Sequence, residues 1–140
     1  MKGTEQLVLN RVICLECAEV LTSYYTHDYK TCNCANQTMI DGGLDYQRYG
    51  GVDLHKIDFS PTVYFSADPK DHGLMRVSFH WGTYGKDGDQ ERRWITPAQM
   101  SNKHIENILD NLGDRLLPWI KNILTNEQKH RSENNILIQD

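Results

Sequence analysis

Residues 13–34 read ICLECAEVLTSYYTHDYKTCNC and hold every cysteine of the chain: Cys14 and Cys17, then Cys32 and Cys34. None occurs in the 106 residues that follow. A disulfide framework staples distant segments and would spread its cysteines along the sequence. Two close pairs separated by fourteen residues look instead like two metal-binding jaws. Four thiolates spaced in this way can converge on one tetrahedral Zn2+ ion, with Zn–S near ~2.3 Å. The Cys32-Asn33-Cys34 jaw is tighter than the usual Cys-x2-Cys knuckle and needs an extended turn to aim both sulfurs at one ion. Two disulfides, a redox pair at Cys14 and Cys17 or an iron–sulfur cluster would use the same residues, but the pairing favours zinc. Four thiolates close the coordination shell, whereas catalytic zinc keeps an open position. The metal is therefore expected to organise folding rather than chemistry. His27, between the jaws, and His55 are the alternative ligands.

Short strands flank the jaws. Gln6 to Ile13 reads as a strand leading into the first, and Glu19 to Tyr25 is rich in β-forming residues. Tyr29 to Cys34 is expected to return as its hairpin partner. Thr38-Met39-Ile40 gives a further short strand ending at the turn signal Asp41-Gly42-Gly43. This is a zinc-ribbon-like pattern over residues 1–60, whose core is too small to fold without the metal. Residues 44–51 then place Asp45, Tyr46, Arg48 and Tyr49 before a glycine pair. One reading is a loop packed on the zinc module, with Arg48 paired to Asp41 or Asp45. The other is a recognition surface in which Tyr46, Arg48 and Tyr49 contact a partner, since tyrosine and arginine often anchor interfaces. No spacing among Asp41, Asp45 and Asp53 fixes a second metal or an acid–base pair.

A second block covers residues 61–131. Thr62 to Ser66 is a short strand, and Leu74 to Thr83 alternates, with Met75, Val77, Phe79 and Trp81 on one side. With Asp87-Gly88 as a hairpin turn, Glu91 to Thr96 pairs with it, and Trp81 sits opposite Trp94. His80 falls on the polar face. Ser101 can cap a helix carrying Ile105, Ile108, Leu109 and Leu112, which Gly113 ends. His104 lies in its first turn, at the core edge or surface. A second helix follows over about residues 115–130, with Leu116, Ile120, Ile123 and Leu124 on one stripe and Pro118 in or before its first turn. Residues 132–140 read as a flexible tail. The fold class is α+β: a zinc-ribbon-like module joined to a small antiparallel sheet with two C-terminal helices, expected to form one compact domain.

Charge narrows the function. The net charge is -4, with five basic and eight acidic residues over 1–60, five of each over 61–100, and five basic and six acidic over 101–140. No basic segment is present to hold a phosphate backbone. There is no long apolar run and no apolar signal-peptide core near the start, so a cytoplasmic, non-membrane protein is expected. No nucleophile–base pattern points to an enzyme. The expected role is a zinc-stabilised protein that binds another protein. The alternative is a nucleic-acid-binding zinc ribbon using Tyr24, Tyr25 and Tyr46 as stacking platforms.

The combination of Cys14-x2-Cys17, His27-Asp28-Tyr29, Cys32-x-Cys34 and Asp41-Gly42-Gly43-x2-Tyr46-x-Arg48 resembles a family of small uncharacterised tailed-bacteriophage proteins. The likeness continues at Trp81-Gly82-Thr83-Tyr84-Gly85-Lys86-Asp87-Gly88 and at Met100-Ser101-x2-His104-Ile105, and spans residues 11–131. Ala35 stands where that family often has a glycine. The resemblance implies a phage origin and action in the host cytoplasm. Its best suggestion of a role is binding, and inhibiting, a host or host-defence protein.

Overall fold

Apolar residues fill Leu7 to Cys14 almost without interruption, and this run forms the strand on which the first half of the chain is built. The computed structural model describes residues 5–140 and divides after Phe65 into two units. In the first unit the strands are β1 (Leu7–Cys14), β2 (Val20–Ser23), β3 (Lys30–Thr31), β4 (Met39–Asp41), β5 (Arg48–Gly50), β6 (Ile57–Asp58) and β7 (Val63–Tyr64). β1 pairs antiparallel with β2, β6 and β7, while β3, β4 and β5 make a second antiparallel sheet in that order. Val12, Leu21, Ile40 and Ile57 form the core together with Cys14 and Cys32, and Phe59 packs against it.

Two local expectations need correction here. The second jaw does not return onto Glu19–Tyr25. β2 pairs with β1 across the tight Cys14–Glu19 loop, with Ile13 opposite Val20 and Asn10 opposite Ser23. β3 instead pairs forward with β4, Lys30 facing Ile40, because the Cys32 amide already bonds the Thr38 carbonyl at 3.0 Å. Nor is Arg48–Gly50 loop: it is β5, with Arg48 opposite Asp41 and Gly50 opposite Met39.

The turn between β4 and β5 is built from inside. Asn10, fully buried on β1, donates through Nδ2 to the carbonyls of Gly43 (2.8 Å), Asp41 (3.2 Å) and Tyr46 (3.3 Å). Its Oδ1 accepts from Gln47 Nε2 at 3.0 Å. Gly42 and Gly43 have positive φ, +107° and +57°, and a Cβ at either would sit within 2.3 Å of backbone atoms of Tyr46 or Tyr25. No other residue fits there.

The second unit contains α1 (His72–Ser78), β8 (Trp81–Thr83), β9 (Arg93–Ile95), α2 (Asn102–Leu112) and α3 (Pro118–Asn134). The expected strand from Leu74 is therefore helical up to Ser78. Alternation misled because Val77 is exposed, while His72, Met75 and Ser78 are buried at helical spacing. His80 lies in the link to β8, its Nδ1 bonded to the Ser78 carbonyl at 2.8 Å. The hairpin exists, but its register is one residue later than expected. Trp81 faces Ile95, and Gly82 faces Trp94, so the two tryptophans lie on opposite faces of the sheet. The tip is not a two-residue turn: Gly88 bonds back to Gly85 and Gln90 to Tyr84, with positive φ at both glycines. Gly82 leaves room for the Trp94 ring, which a Cβ would approach to 3.2 Å.

The helix starts follow local sequence signals, but α3 runs to Asn134, into the stretch expected to be a flexible tail. Ser101 caps α2 by accepting from the His104 amide at 3.0 Å, Gly113 ends it at φ +36°, and Pro118 is the first residue of α3. Met100, Ile105, Ile108, Leu116 and Leu124 form the core, with Trp81 and Ile95 of the hairpin packed on it. Beyond α3, the Asn102 amide donates to the Ile138 carbonyl and Asn102 Oδ1 accepts from the Ile138 amide, both at 2.8 Å.

One buried charge ties these helices together. Glu127 on α3 is fully buried and accepts from Arg76 Nε and Nη2 (2.8 and 2.9 Å), Arg131 Nε (2.8 Å) and His72 Nε2 (2.9 Å). Arg131, also buried, bonds onward to the Pro97 carbonyl at 2.8 Å and Asn102 Oδ1 at 3.0 Å. Burial opposes ionisation of Glu127, but Arg76, Arg131 and His72 overcome it and hold the carboxyl down at about 2. Replacing Glu127 by Ala should destabilise the second unit by about 3–5 kcal/mol, because it strands the Arg131 charge in the core. A depressed carboxyl pKa also gives stability that is complete above the ordinary value of 4.5 and is lost as pH falls through about 2. Urea unfolding across that window should show wild type weakening steadily, while Glu127→Gln starts weaker and changes less.

Candidate metal centre

The first jaw closes where β1 ends. The Ala18 amide donates to the Cys14 carbonyl at 2.7 Å, and the Cys14 amide to the Glu19 carbonyl at 2.9 Å. Ala18 takes φ +64° to complete this turn. The short turn that leads into β6 supports the knuckle from outside: the Leu15 amide donates to the Lys56 carbonyl at 2.8 Å, and Lys56 Nζ meets Glu16 Oε2 at 2.6 Å. The second jaw is the connection from β3 to β4. There the Gln37 amide bonds the Cys34 carbonyl at 3.1 Å and Gln37 adopts φ +49°. This tight turn follows the Cys32–Cys34 pair and leads into β4.

Asn36 braces the second jaw. It is buried, donates to Thr38 Oγ1 at 2.7 Å, and accepts from the Asp53 amide at 2.8 Å. Because Thr38 Oγ1 accepts from Asn36, its own hydrogen is free to reach Cys14, and a hydrogen bond between that hydroxyl and the Cys14 sulfur favours the thiolate. Sequence reasoning missed Asn36 and Thr38, although polar residues directly after a cysteine jaw are where such support belongs.

The four ligand sulfurs lie within 4.8 Å of one another. Cys14 and Cys34 are 3.6 Å apart, and Cys32 and Cys34 3.4 Å. A disulfide would need about 2.05 Å. Four sulfurs about 2.3 Å from a central ion stand about 3.8 Å from each other, so the observed spacing fits one tetrahedral metal. Among the described residues no other group of three or more His, Cys, Asp or Glu comes close enough to hold an ion. Cys14 and Cys32 are buried in the core of the unit, Cys34 is half-buried and Cys17 is exposed. His27 and His55 are not part of the cluster. His27 is exposed in a turn, and His55 is fully exposed beside Asp53.

The thiols do not share protons evenly. Burial opposes ionisation of Cys14, yet Thr38, the backbone at Cys17 and Glu16, and Cys34 draw it down to about 6. At Cys17 a backbone hydrogen bond at Glu19 favours the thiolate, but desolvation and the sulfurs of Cys34, Cys14 and Cys32 push it up to about 12. Burial, then Cys32, raises Cys34. One anion forms readily and resists the next, which is the charge distribution a divalent cation relieves.

Residues 6–51, about a third of the chain, match a domain of unknown function (DUF7695). That stretch contains all four cysteines and the turn between β4 and β5. No curated protein and no solved structure matches the chain. Among the described residues no helix is long and apolar enough to cross a membrane.

Tyr46, Arg48 and Tyr49 fall together after the second jaw. Arg48 does pair with Asp41, at 3.9 Å. Tyr49 packs edge-on against Phe59, ring centroids 4.8 Å apart. Asp45 turns to the Thr26 hydroxyl, and Asp53 caps the short turn at Leu54 by accepting from the His55 amide at 3.0 Å. His104 is partly buried, which lowers its pKa, with Asp140 opposing. These aspartates hold turns and do not converge.

Two outcomes follow. Reduced protein should bind one zinc per chain by elemental analysis, and Cys32→Ser should abolish both metal and the folded signals of the first unit. Ala18→Gly should raise stability by about 0.5–1 kcal/mol in metal-loaded protein, since glycine relieves the left-handed backbone at an exposed site. Chemical denaturation reads the difference.

Proposed function

We propose that the chain is a zinc-stabilised recognition protein that binds another protein through Tyr46, Arg48 and Tyr49. The observation that carries this reading is the placement of the sulfur cluster. Two of its four members belong to the hydrophobic core of the first unit, and all four sit within one coordination shell. Such a shell holds a fold together and leaves no position for substrate.

What the metal would steady is suited to recognition. Tyr46 and Tyr49 are 43% and 47% exposed, and the Arg48 side chain is 64% exposed. Their backbone is fixed by β5 pairing and by Asn10 beneath the turn. Exposed aromatic and guanidinium groups on a rigid base are typical interface anchors. The excess of acids over bases in residues 1–60 favours a partner with a basic face over a phosphate backbone. The reducing cytoplasm, where thiols stay available to metal, is the matching compartment. The resemblance to small tailed-phage proteins directs the search to host and host-defence proteins, with inhibition as the role to test.

Affinity capture from host cells, with identification of protein and nucleic acid alike, supplies the partner. The Arg48→Ala, Tyr49→Ala double variant should then keep its metal content and circular dichroism yet bind more weakly by about 2 kcal/mol or more. Equal binding by the folded variant would remove these residues from the interface.

A further inference from the structure

The four cysteines of the metal centre differ in what surrounds them. Cys14 and Cys32 are buried and belong to the core of the first unit, beside Val12, Leu21, Ile40 and Ile57. Cys34 is half-buried, packed against that core rather than inside it. Cys17 lies within the turn of residues 15–20, all of them exposed. Each jaw therefore has one sulfur in the core and one nearer the surface.

Oxidation of cysteine follows thiolate character and exposure. An oxidant arriving from solvent meets Cys17 first. Once oxidised, that sulfur can be resolved by a neighbour, and the other three all stand within 4.8 Å of it. Burial decides among them. A disulfide needs about 2.05 Å between its sulfurs. Ligands of one tetrahedral ion stand about 3.8 Å apart, so the resolving sulfur must move. Close-packed interiors resist such displacement. Cys14 would have to leave the core, although its amide and carbonyl are both bonded, to the Glu19 carbonyl and the Ala18 amide. Cys32 is held in the core too, its amide bonded to the Thr38 carbonyl at 3.0 Å. Cys34, at the edge, is the sulfur that can move without opening the core.

We propose that Cys17 is an oxidation site, and that Cys34 resolves it in a disulfide that crosses from one jaw to the other and releases the metal. The oxidant is a two-electron peroxide. The Cys17 thiolate attacks one peroxide oxygen, the O–O bond breaks, hydroxide leaves and a sulfenic acid remains. The Cys34 thiolate then attacks the Cys17 sulfur, the S–S bond forms, the S–O bond breaks and a second hydroxide leaves. Two thiolates have lost two electrons, and one hydrogen peroxide has become two hydroxides. Cys14 and Cys32 remain as two ligands of a four-ligand shell, too few to hold zinc. Because Cys17 and Cys34 come from different jaws, the new bond keeps the two turns joined. The oxidised unit stays folded without metal, whereas removal of metal alone lets the turns part. The inference rests on the zinc site of the proposed reading and is independent of the partner surface.

The test uses the full chain, reduced and loaded with one equivalent of zinc. One equivalent of hydrogen peroxide should release one equivalent of zinc to a chromogenic chelator. Alkylation of the remaining thiols and mass mapping should then show a Cys17–Cys34 disulfide, with Cys14 and Cys32 alkylated. The folded NMR resonances of the first unit should persist in the oxidised protein and disappear in reduced protein stripped by a chelator. Dithiothreitol and zinc should restore the starting state. Zinc retained after the peroxide is consumed would overturn the site. So would a disulfide that includes Cys14 or Cys32, oxidation of Cys17 that stops short of a disulfide, or unfolding of the first unit on oxidation. Reduced protein that binds no zinc before peroxide is added would overturn the zinc reading and this inference together; the other results leave the zinc reading standing.

Discussion

The first unit depends on one constraint: four sulfur atoms from two short turns must meet within a coordination shell. Its apolar core is small, and two of its members are cysteines. The strands around it are two to four residues long except β1, and strands so short contribute few ladder bonds each. Joining the turn after β1 to the turn between β3 and β4 links the two sheets at their ends. Metal binding energy in such a module is folding energy. The strained residues Ala18 and Gln37 sit at these turns, where a closed shell can hold backbone that would otherwise relax.

The second unit is tied together by a buried ion network. Glu127 collects two guanidinium groups and an imidazole, and Arg131 carries the network on to Pro97 and Asn102. Among the buried side-chain atoms of that network only His72 Nδ1 lacks a partner. Breaking such a network costs more than its pairs are worth, because the surviving charges remain buried. Two different forms of polar specification therefore stand in two units of similar size.

The cysteine site was legible in the sequence because metal geometry restricts ligand spacing and leaves a pattern in the chain. The α+β class and the helix limits were legible for a similar reason: Ser101, Gly113 and Pro118 act through local backbone chemistry that does not depend on distant contacts. What sequence reasoning lost was set by tertiary context. Leu74–Thr83 alternates well enough for a strand, but burial of His72, Met75 and Ser78 selects a helix over its first part. The hairpin register slipped by one because the tip is a longer loop fixed by Gly85 and Gly88, not a two-residue turn. Asn10 and Glu127 were invisible as anchors, since one asparagine in a strand and one glutamate in a helix carry no pattern of their own.

Asn10 also bears on the proposed recognition surface, because it braces that turn from the backbone side. Its three donated bonds occupy backbone carbonyls, and the glycines at 42 and 43 leave room for neighbouring backbone and for the Tyr46 ring. The Tyr46 ring packs on Gly42, Arg48 pairs with Asp41 and Tyr49 packs on Phe59, yet all three side chains remain exposed. The proposed recognition would use the faces these contacts leave open. A surface whose backbone is already ordered loses little further entropy when a partner arrives, so more of the contact energy appears as affinity. The nearby aspartates Asp41, Asp45 and Asp53 are held in separate turns by Gly42, Thr26 and His55.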